Sequence, residues 1–211
     1  MSEHDSIRAD VAAYFGAKVR EHGARPQGVD WNGDTAQLVR FDQLLRLCDG
    51  SVPLTLNDYG CGYGRLLEYV GGLGWQVDYR GYDVSEDMVA QARRVHGEGP
   101  GRSFTSDPAQ LEPADFSVAS GLFNIRVGRS DEEWLDFIET TLDELDRLST
   151  RGFAFNALTG YSDPEHMRPD LYYADPCALF DRCKRRYSRQ VALLHDYGIY
   201  DFTILVRKDG A

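Results

Sequence analysis

The chain has 211 residues, 42% hydrophobic and 27% charged, a balance that excludes a disordered, collagen-like or disulfide-knotted molecule and suits one globular domain. Its net charge of −11 disfavours nucleic acid as the main partner, because a phosphate backbone is repelled unless a local basic patch overcomes that field. No apolar run reaches the roughly 18 residues of a membrane helix, the start MSEHDSIRAD lacks the basic-then-apolar order of a signal peptide, and Cys48, Cys61, Cys177 and Cys183 lack CxxC spacing, so the expectation is a cytoplasmic protein with no membrane association, reduced thiols and no metal site.

Ile7, Val11, Tyr14, Phe15 and Val19 recur at helical spacing, and a second amphipathic helix is expected over 35–47 with Asp34 as its N-cap. Residues 54–58 form a short apolar run that ends in a glycine cluster. Leu66, Leu67 and Val70 then continue at helical spacing until Gly71 and Gly72 stop them. The pattern repeats with a strand over 76–83, a helix capped by Ser85 and ended by Gly97, a short strand at 103–106 and another at 115–120. Ser130 and Glu133 form a capping box ahead of Trp134, Leu135, Ile138, Leu142 and Leu145.

A buried strand is expected over 152–158, then a polar segment over 159–175 and a helix carrying Leu179, Phe180 and Cys183. Residues 191–194 and 202–206 are joined by too few residues for a crossover helix, so they should pair as an antiparallel hairpin. Alternating strands and helices imply an α/β fold: a doubly wound, mostly parallel seven-stranded sheet covered on both faces and closed by an antiparallel edge. Residues 1–50 read as an N-terminal helical cap on the same domain, and residues 51–211 as the α/β part that bears the sheet.

The sharpest segment is Asp58-Tyr-Gly60-Cys61-Gly62-Tyr-Gly64, in which a strand delivers a carboxylate and three alternating glycines into a helix. Glycine permits a tight turn and close approach to a ligand. The dinucleotide pattern G-x-G-x-x-G fails because Arg65 stands at its third glycine, and Asp58 would crowd a pyrophosphate, which prefers bare helix N-terminal amides.

The segment resembles motif I of the class I S-adenosylmethionine-dependent methyltransferases, and the likeness extends in element order from Leu54 to Arg207, including the terminal hairpin. The resemblance implies S-adenosyl-L-methionine as cofactor, with S-adenosyl-L-homocysteine as product. It implies binding by Asp58, Gly60, Cys61, Gly62 and Gly64, ribose hydroxyls on Asp83, and further contacts from Val84 and Met88. Asp107 fits by position against the adenine amino group, although Asp-Pro also starts turns. Ser120 and Gly121 resemble the segment beside the methionyl and sulfonium portion.

Methyl transfer from a sulfonium is an in-line displacement, so the protein mainly aligns a nucleophile and excludes water. Acceptor contacts are expected beyond the strand ends, where Tyr172, Tyr173 and Asn156 are the candidates for the catalytic, substrate-side role. Asn124 suits either a ligand contact or a local turn bond. The cap offers Tyr14, Lys18, His22, Asp30, Trp31 and Arg40, whose rings and cations suit a sulfonium or a carboxylate. Arg182, Lys184, Arg185, Arg186 and Arg189 form a basic cluster that reads chiefly as a solvated face. The acidic surface and the absence of an added recognition domain point to a small-molecule acceptor. A non-catalytic regulatory protein binding the same nucleosides, and non-methyl-transfer chemistry on the same cofactor, are the other readings.

Overall fold

The apolar run after Pro53 forms β1 (Leu54–Tyr59), followed by β2 (Val77–Tyr82), β3 (Arg102–Thr105), β4 (Ala114–Ala119), β5 (Ser149–Leu158), β6 (Gln190–Leu194) and β7 (Asp201–Arg207). The computed structural model describes residues 3–25, 28 and 34–208 and joins these strands in one sheet of order β3-β2-β1-β4-β5-β7-β6. Pairing is parallel from β3 through β5 and antiparallel between β5 and β7 and between β7 and β6.

The C-terminal hairpin forms as its short connection predicts, but the antiparallel strand is not at the edge. β7 fills an interior slot and β6 lies outside it. Burial explains the order: Phe202, Ile204, Leu205 and Val206 are buried, whereas every apolar residue of β6 is only partly covered. The more apolar strand therefore takes the position with two neighbours.

Among the described residues six helices cover the sheet: α1 (Glu3–His22), α2 (Asp34–Leu45), α3 (Arg65–Gly72), α4 (Glu86–His96), α5 (Asp131–Arg147) and α6 (Pro176–Arg186). Alternation along the strands splits the core in two. Tyr59, Tyr82, Phe153, Phe155 and Ile204 face a layer that includes Ile7 and Val11 of α1, Trp134 and Leu142 of α5, and Leu179 of α6. Leu56, Tyr79, Phe116, Val118 and Leu205 face Phe41 and Leu44 of α2, Leu66 and Val70 of α3, and Val89 of α4.

Helix ends follow local chemistry. The Ser130 hydroxyl accepts from Glu133 N–H while the Glu133 carboxylate accepts from Ser130 N–H. Ser85 accepts from Met88 N–H, and Asp175 accepts from the N–H groups of Cys177 and Ala178. The side chain of Asp34, the expected cap of α2, lies outside the described residues, as do Asp30 and Trp31. The basic cluster is an ion-paired face: Arg182 meets Glu139, Arg185 meets Asp181 and Arg186 meets Asp143.

The helix α1 crosses the carboxyl end of the sheet and is held at several points. Arg8 pairs with Glu144 of α5 at 2.6 Å, Asp10 pairs with Arg129, and Arg20 pairs with Asp87 of α4. Close approach at Gly16 sets the crossing: a Cβ there would stand 2.8 Å from Asp87 Oδ2 and 3.3 Å from Ser85 Oγ. Among the described residues, no helix is long and apolar enough to cross a membrane.

Candidate active site

Strand order reverses between β1 and β4, and in open α/β sheets that switch point is where ligands bind, outside the carboxyl ends of the strands. A cleft opens there, and its floor is built by the turn after β1. Gly60, Gly62 and Gly64 have φ of +84°, +54° and +85°, a region that non-glycine residues enter only with strain. The N–H groups of Gly60 and Cys61 both donate to Tyr82 O, at 2.7 and 2.9 Å, which fastens the turn to the end of β2.

Asp83 fastens it again. Its two oxygens accept from Gly62 N–H and from Ser85 N–H, each at 2.9 Å, so one carboxylate joins the glycine turn to the start of α4. Burial pushes the Asp83 carboxyl up to about 6, against the lowering effect of those two donors. Asp58 is also buried and accepts from Tyr79 Oη at 2.5 Å. Burial, with the nearby Asp83 charge, carries its carboxyl up to about 7, opposed by the Tyr79 hydrogen bond. Burial likewise raises the Cys61 thiol well above its usual range, so this cysteine is an unreactive wall.

The other side of the floor is the loop after β4. Gly121 N–H donates to Asn156 Oδ1 at 2.7 Å, and Asn124 Oδ1 accepts from Leu158 N–H at 3.1 Å, so two asparagine amides fix this loop to β5. Ser120 Oγ is buried at the cleft without a hydrogen-bond partner.

The structure brings Asp58, Gly60, Cys61, Gly62, Asp83, Val84, Met88, Ser120 and Gly121 to this one cleft. Gly64 is not among its lining residues. It is the N-cap of α3, and a Cβ there would meet the His96 ring at 2.8 Å, so its role is packing. Asp107 also stays outside the lining: it is exposed and caps a short 3-10 turn through Ala109 N–H at 2.9 Å.

The substrate-side candidates are not brought there. Asn156 is fully buried within β5 and acts on Gly121 from behind. Tyr172 packs against the apolar layer beside α5 and α6, and Tyr173 Oη accepts from Arg168 N–H at 2.8 Å. Tyr14, Lys18, His22 and Arg40 are also not lining residues; Arg40 instead forms a buried two-point pair with Asp201. The helices contribute a wall that motif reading misses: Arg8, Val11 and Phe15 from α1, Gln37 and Phe41 from α2, and Phe137 from α5. The i, i+3, i+7 spacing of Arg8, Val11 and Phe15 was the available signal.

No family model matches the sequence. The fold is that of magnesium protoporphyrin IX methyltransferase from Synechocystis PCC 6803 with bound S-adenosylmethionine, at TM-score 0.65 and 19% identity over 99% of this chain and 98% of that one. It is also that of the N-methyltransferase NodS from Bradyrhizobium japonicum WM9 with S-adenosylhomocysteine, at TM-score 0.64 and 13% identity over 95% and 99%. A third likeness is the 1,6-didemethyltoxoflavin-N1-methyltransferase of Burkholderia thailandensis, crystallised with 1,6-didemethyltoxoflavin and S-adenosylhomocysteine, at TM-score 0.61 and 16% identity over 99% and 91%. In sequence, the chain is 55% identical over 165 residues to a Mycobacterium tuberculosis (strain ATCC 25618 / H37Rv) protein provisionally named methyltransferase Rv1506c, covering 78% of this chain and 99% of that relative.

The chain belongs to the methyltransferases, and its fold is that of S-adenosylmethionine-dependent ones. The cleft of this methyltransferase suits its family's cofactor on its own chemistry. Asp83 uses one acceptor site on each oxygen for the turn and retains lone pairs for two hydroxyl donors. Two neighbouring carboxylates, with no uncompensated cation among the described lining residues, suit a sulfonium with an ammonium tail. Ser120 Oγ supplies a polar atom that a ligand would satisfy.

Proposed function

We propose that this methyltransferase moves the methyl group of S-adenosylmethionine to a small-molecule acceptor, with Asp83 on the ribose and the 58–62 turn and Ser120–Gly121 around the amino-acid end. The observation that carries the reading is the double use of Asp83, which ties the glycine turn to α4 while keeping acceptor capacity toward the cleft. When bound, the cofactor supplies an electrophilic methyl carbon whose bond to sulfur breaks, with the electron pair staying on sulfur, as the acceptor lone pair forms the new bond.

The chain's residues orient and enclose. Val11, Phe15, Phe41, Leu122 and Phe137 line the cleft with apolar surface, which limits water near the reacting carbon. Asp58 and Asp83 present negative charge to a cationic ligand. A neutral acceptor gives up one proton in the transfer, and Asp58 and Asp83 are the carboxylates of the described lining nearest in basicity to that task. Residues 1–50 serve as a cap on the same domain, a reading supported by Ile7 and Val11 in one core layer and Phe41 and Leu44 in the other. The small acceptor is supported by the net charge of −11 and by the 1,6-didemethyltoxoflavin bound in the Burkholderia neighbour.

Calorimetry with S-adenosylhomocysteine, followed by mass analysis of acceptors incubated with S-adenosylmethionine, tests this. Binding with conversion to S-adenosylhomocysteine and a methylated product is expected. Binding without turnover on any acceptor would instead make the molecule a sensor of the nucleoside.

A further inference from the structure

The cleft has two unlike walls. The turn after β1, the start of α4 and the loop after β4 carry the residues matched to the cofactor, whereas α1, α2 and α5 supply Val11, Phe15, Phe41 and Phe137. The two cations of the lining are committed: Arg8 pairs with Glu144, and Arg65 pairs with Glu68.

Among the described lining residues, one uncharged polar side chain interrupts the helical wall. Gln37 is 5% exposed, lines the cleft one helical turn before Phe41, and its amide oxygen is buried with no hydrogen-bond partner. A buried amide oxygen without a partner destabilises a fold relative to an apolar group of the same size, so the position calls for a ligand group that satisfies it. Oε1 requires a donor. A carboxylate offers none and would leave Oε1 unpaired among apolar neighbours, whereas an uncharged amide, lactam or hydroxyl supplies an N–H or O–H.

Resting on the methyl-transfer reading above, we propose that Gln37 determines acceptor specificity and that the acceptor is an uncharged, largely apolar molecule that places an N–H or O–H against Gln37 Oε1. The apolar helical wall accepts its body, and Gln37 fixes its edge. The absence of an uncommitted cation in the described lining selects against carboxylates and phosphates.

The test uses the protein saturated with S-adenosylhomocysteine and three probes on one frame: 2-naphthamide, 2-naphthol and 2-naphthoate. Calorimetry is expected to show the two neutral probes binding at least tenfold tighter than naphthoate. Gln37→Leu should cut their affinity at least tenfold, keep S-adenosylhomocysteine affinity within twofold and raise the melting temperature of the free protein. Gln37→Met, of similar length, repeats the measurement should the leucine variant fold poorly.

Equal or tighter naphthoate binding, no binding of either neutral probe, or neutral-probe binding unmoved by both variants overturns the proposal. A tenfold loss of S-adenosylhomocysteine affinity in the variants also overturns it, because the amide would then belong to the cofactor. Failure of the unaltered protein to bind S-adenosylhomocysteine at all strikes the methyl-transfer reading itself, a result separate from these.

Discussion

Asp83 Oδ2 accepts a hydrogen bond from the backbone N–H of Gly62, 21 residues earlier in the chain, at 2.9 Å. The other oxygen of the same carboxylate caps Ser85 N–H, so cofactor recognition and the shape of the turn depend on one side chain. Replacing Asp83 with alanine should weaken S-adenosylhomocysteine binding more than tenfold. It should also cost about 1–3 kcal/mol of stability, since two buried N–H groups lose their acceptor. Calorimetry and urea unfolding measure the two effects, and unchanged affinity would remove Asp83 from the site.

The raised carboxyls of Asp58 and Asp83, at about 7 and about 6, make binding and stability depend on pH in opposite senses. A cationic ligand needs the ionised forms, so S-adenosylmethionine affinity should fall as pH drops from 8 through 6. It should fall more steeply than that of S-adenosylhomocysteine, which lacks the sulfonium charge. For the free protein, both groups hold their protons more tightly folded than unfolded, where a carboxyl near 3.8 is the reference. Their contribution to stability is full below about pH 4 and is lost as pH rises through 6 and 7. Urea unfolding at pH 5 and pH 8, compared between the unaltered protein and Asp58→Asn, should show this contribution shrink in the variant.

Arg40 and Asp201 form a pair at 2.8 and 2.6 Å with almost no solvent exposure, joining α2 to the start of β7. Removing one partner strands a buried charge, so Asp201→Asn or Arg40→Met should destabilise by about 3–5 kcal/mol. The double variant Arg40→Met with Asp201→Leu should recover most of that loss. A double-mutant cycle in urea gives the answer, and additive losses would show the pair to be uncoupled.

Asn156→Ala leaves Gly121 N–H without its acceptor and opens space in a fully buried strand. The expected result is a stability loss of about 1–3 kcal/mol together with a several-fold weaker cofactor, because the loop carrying Ser120 loses its anchor. Tyr173→Phe, whose hydroxyl only caps Arg168 N–H, should leave cofactor affinity unchanged. Calorimetry on both variants separates loop positioning from general destabilisation.

What could be read before the structure was local in sequence. The glycine spacing at 60, 62 and 64, Asp83 at the end of the next strand, and the Ser130 and Glu133 box each carry their signal within a few residues. The helical wall of the cleft has no such signature. Gln37, Phe41 and Phe137 reach it only because α2 and α5 pack on opposite faces of the sheet, a relation set by the whole core. Asn156 illustrates the limit well: its residue type suggests a ligand contact, but its place inside β5 turns the amide toward the backbone of a neighbouring loop. The order of the last two strands was visible in their unequal apolarity, yet adjacency in sequence suggested only that they pair.

The interior position of β7 bears on how the molecule refolds. The β6–β7 ribbon is local and can close quickly, but β5 keeps a bare hydrogen-bonding edge until that ribbon docks, with β7 rather than β6 against it. That edge is long and apolar, running through Phe153, Ala154 and Phe155, and an unpaired edge of this kind invites pairing with another chain. Recovery from urea should therefore decline with rising protein concentration during the interval before docking, although among the described residues the finished sheet offers neighbouring chains only short edge strands, β3 on one side and the half-covered β6 on the other.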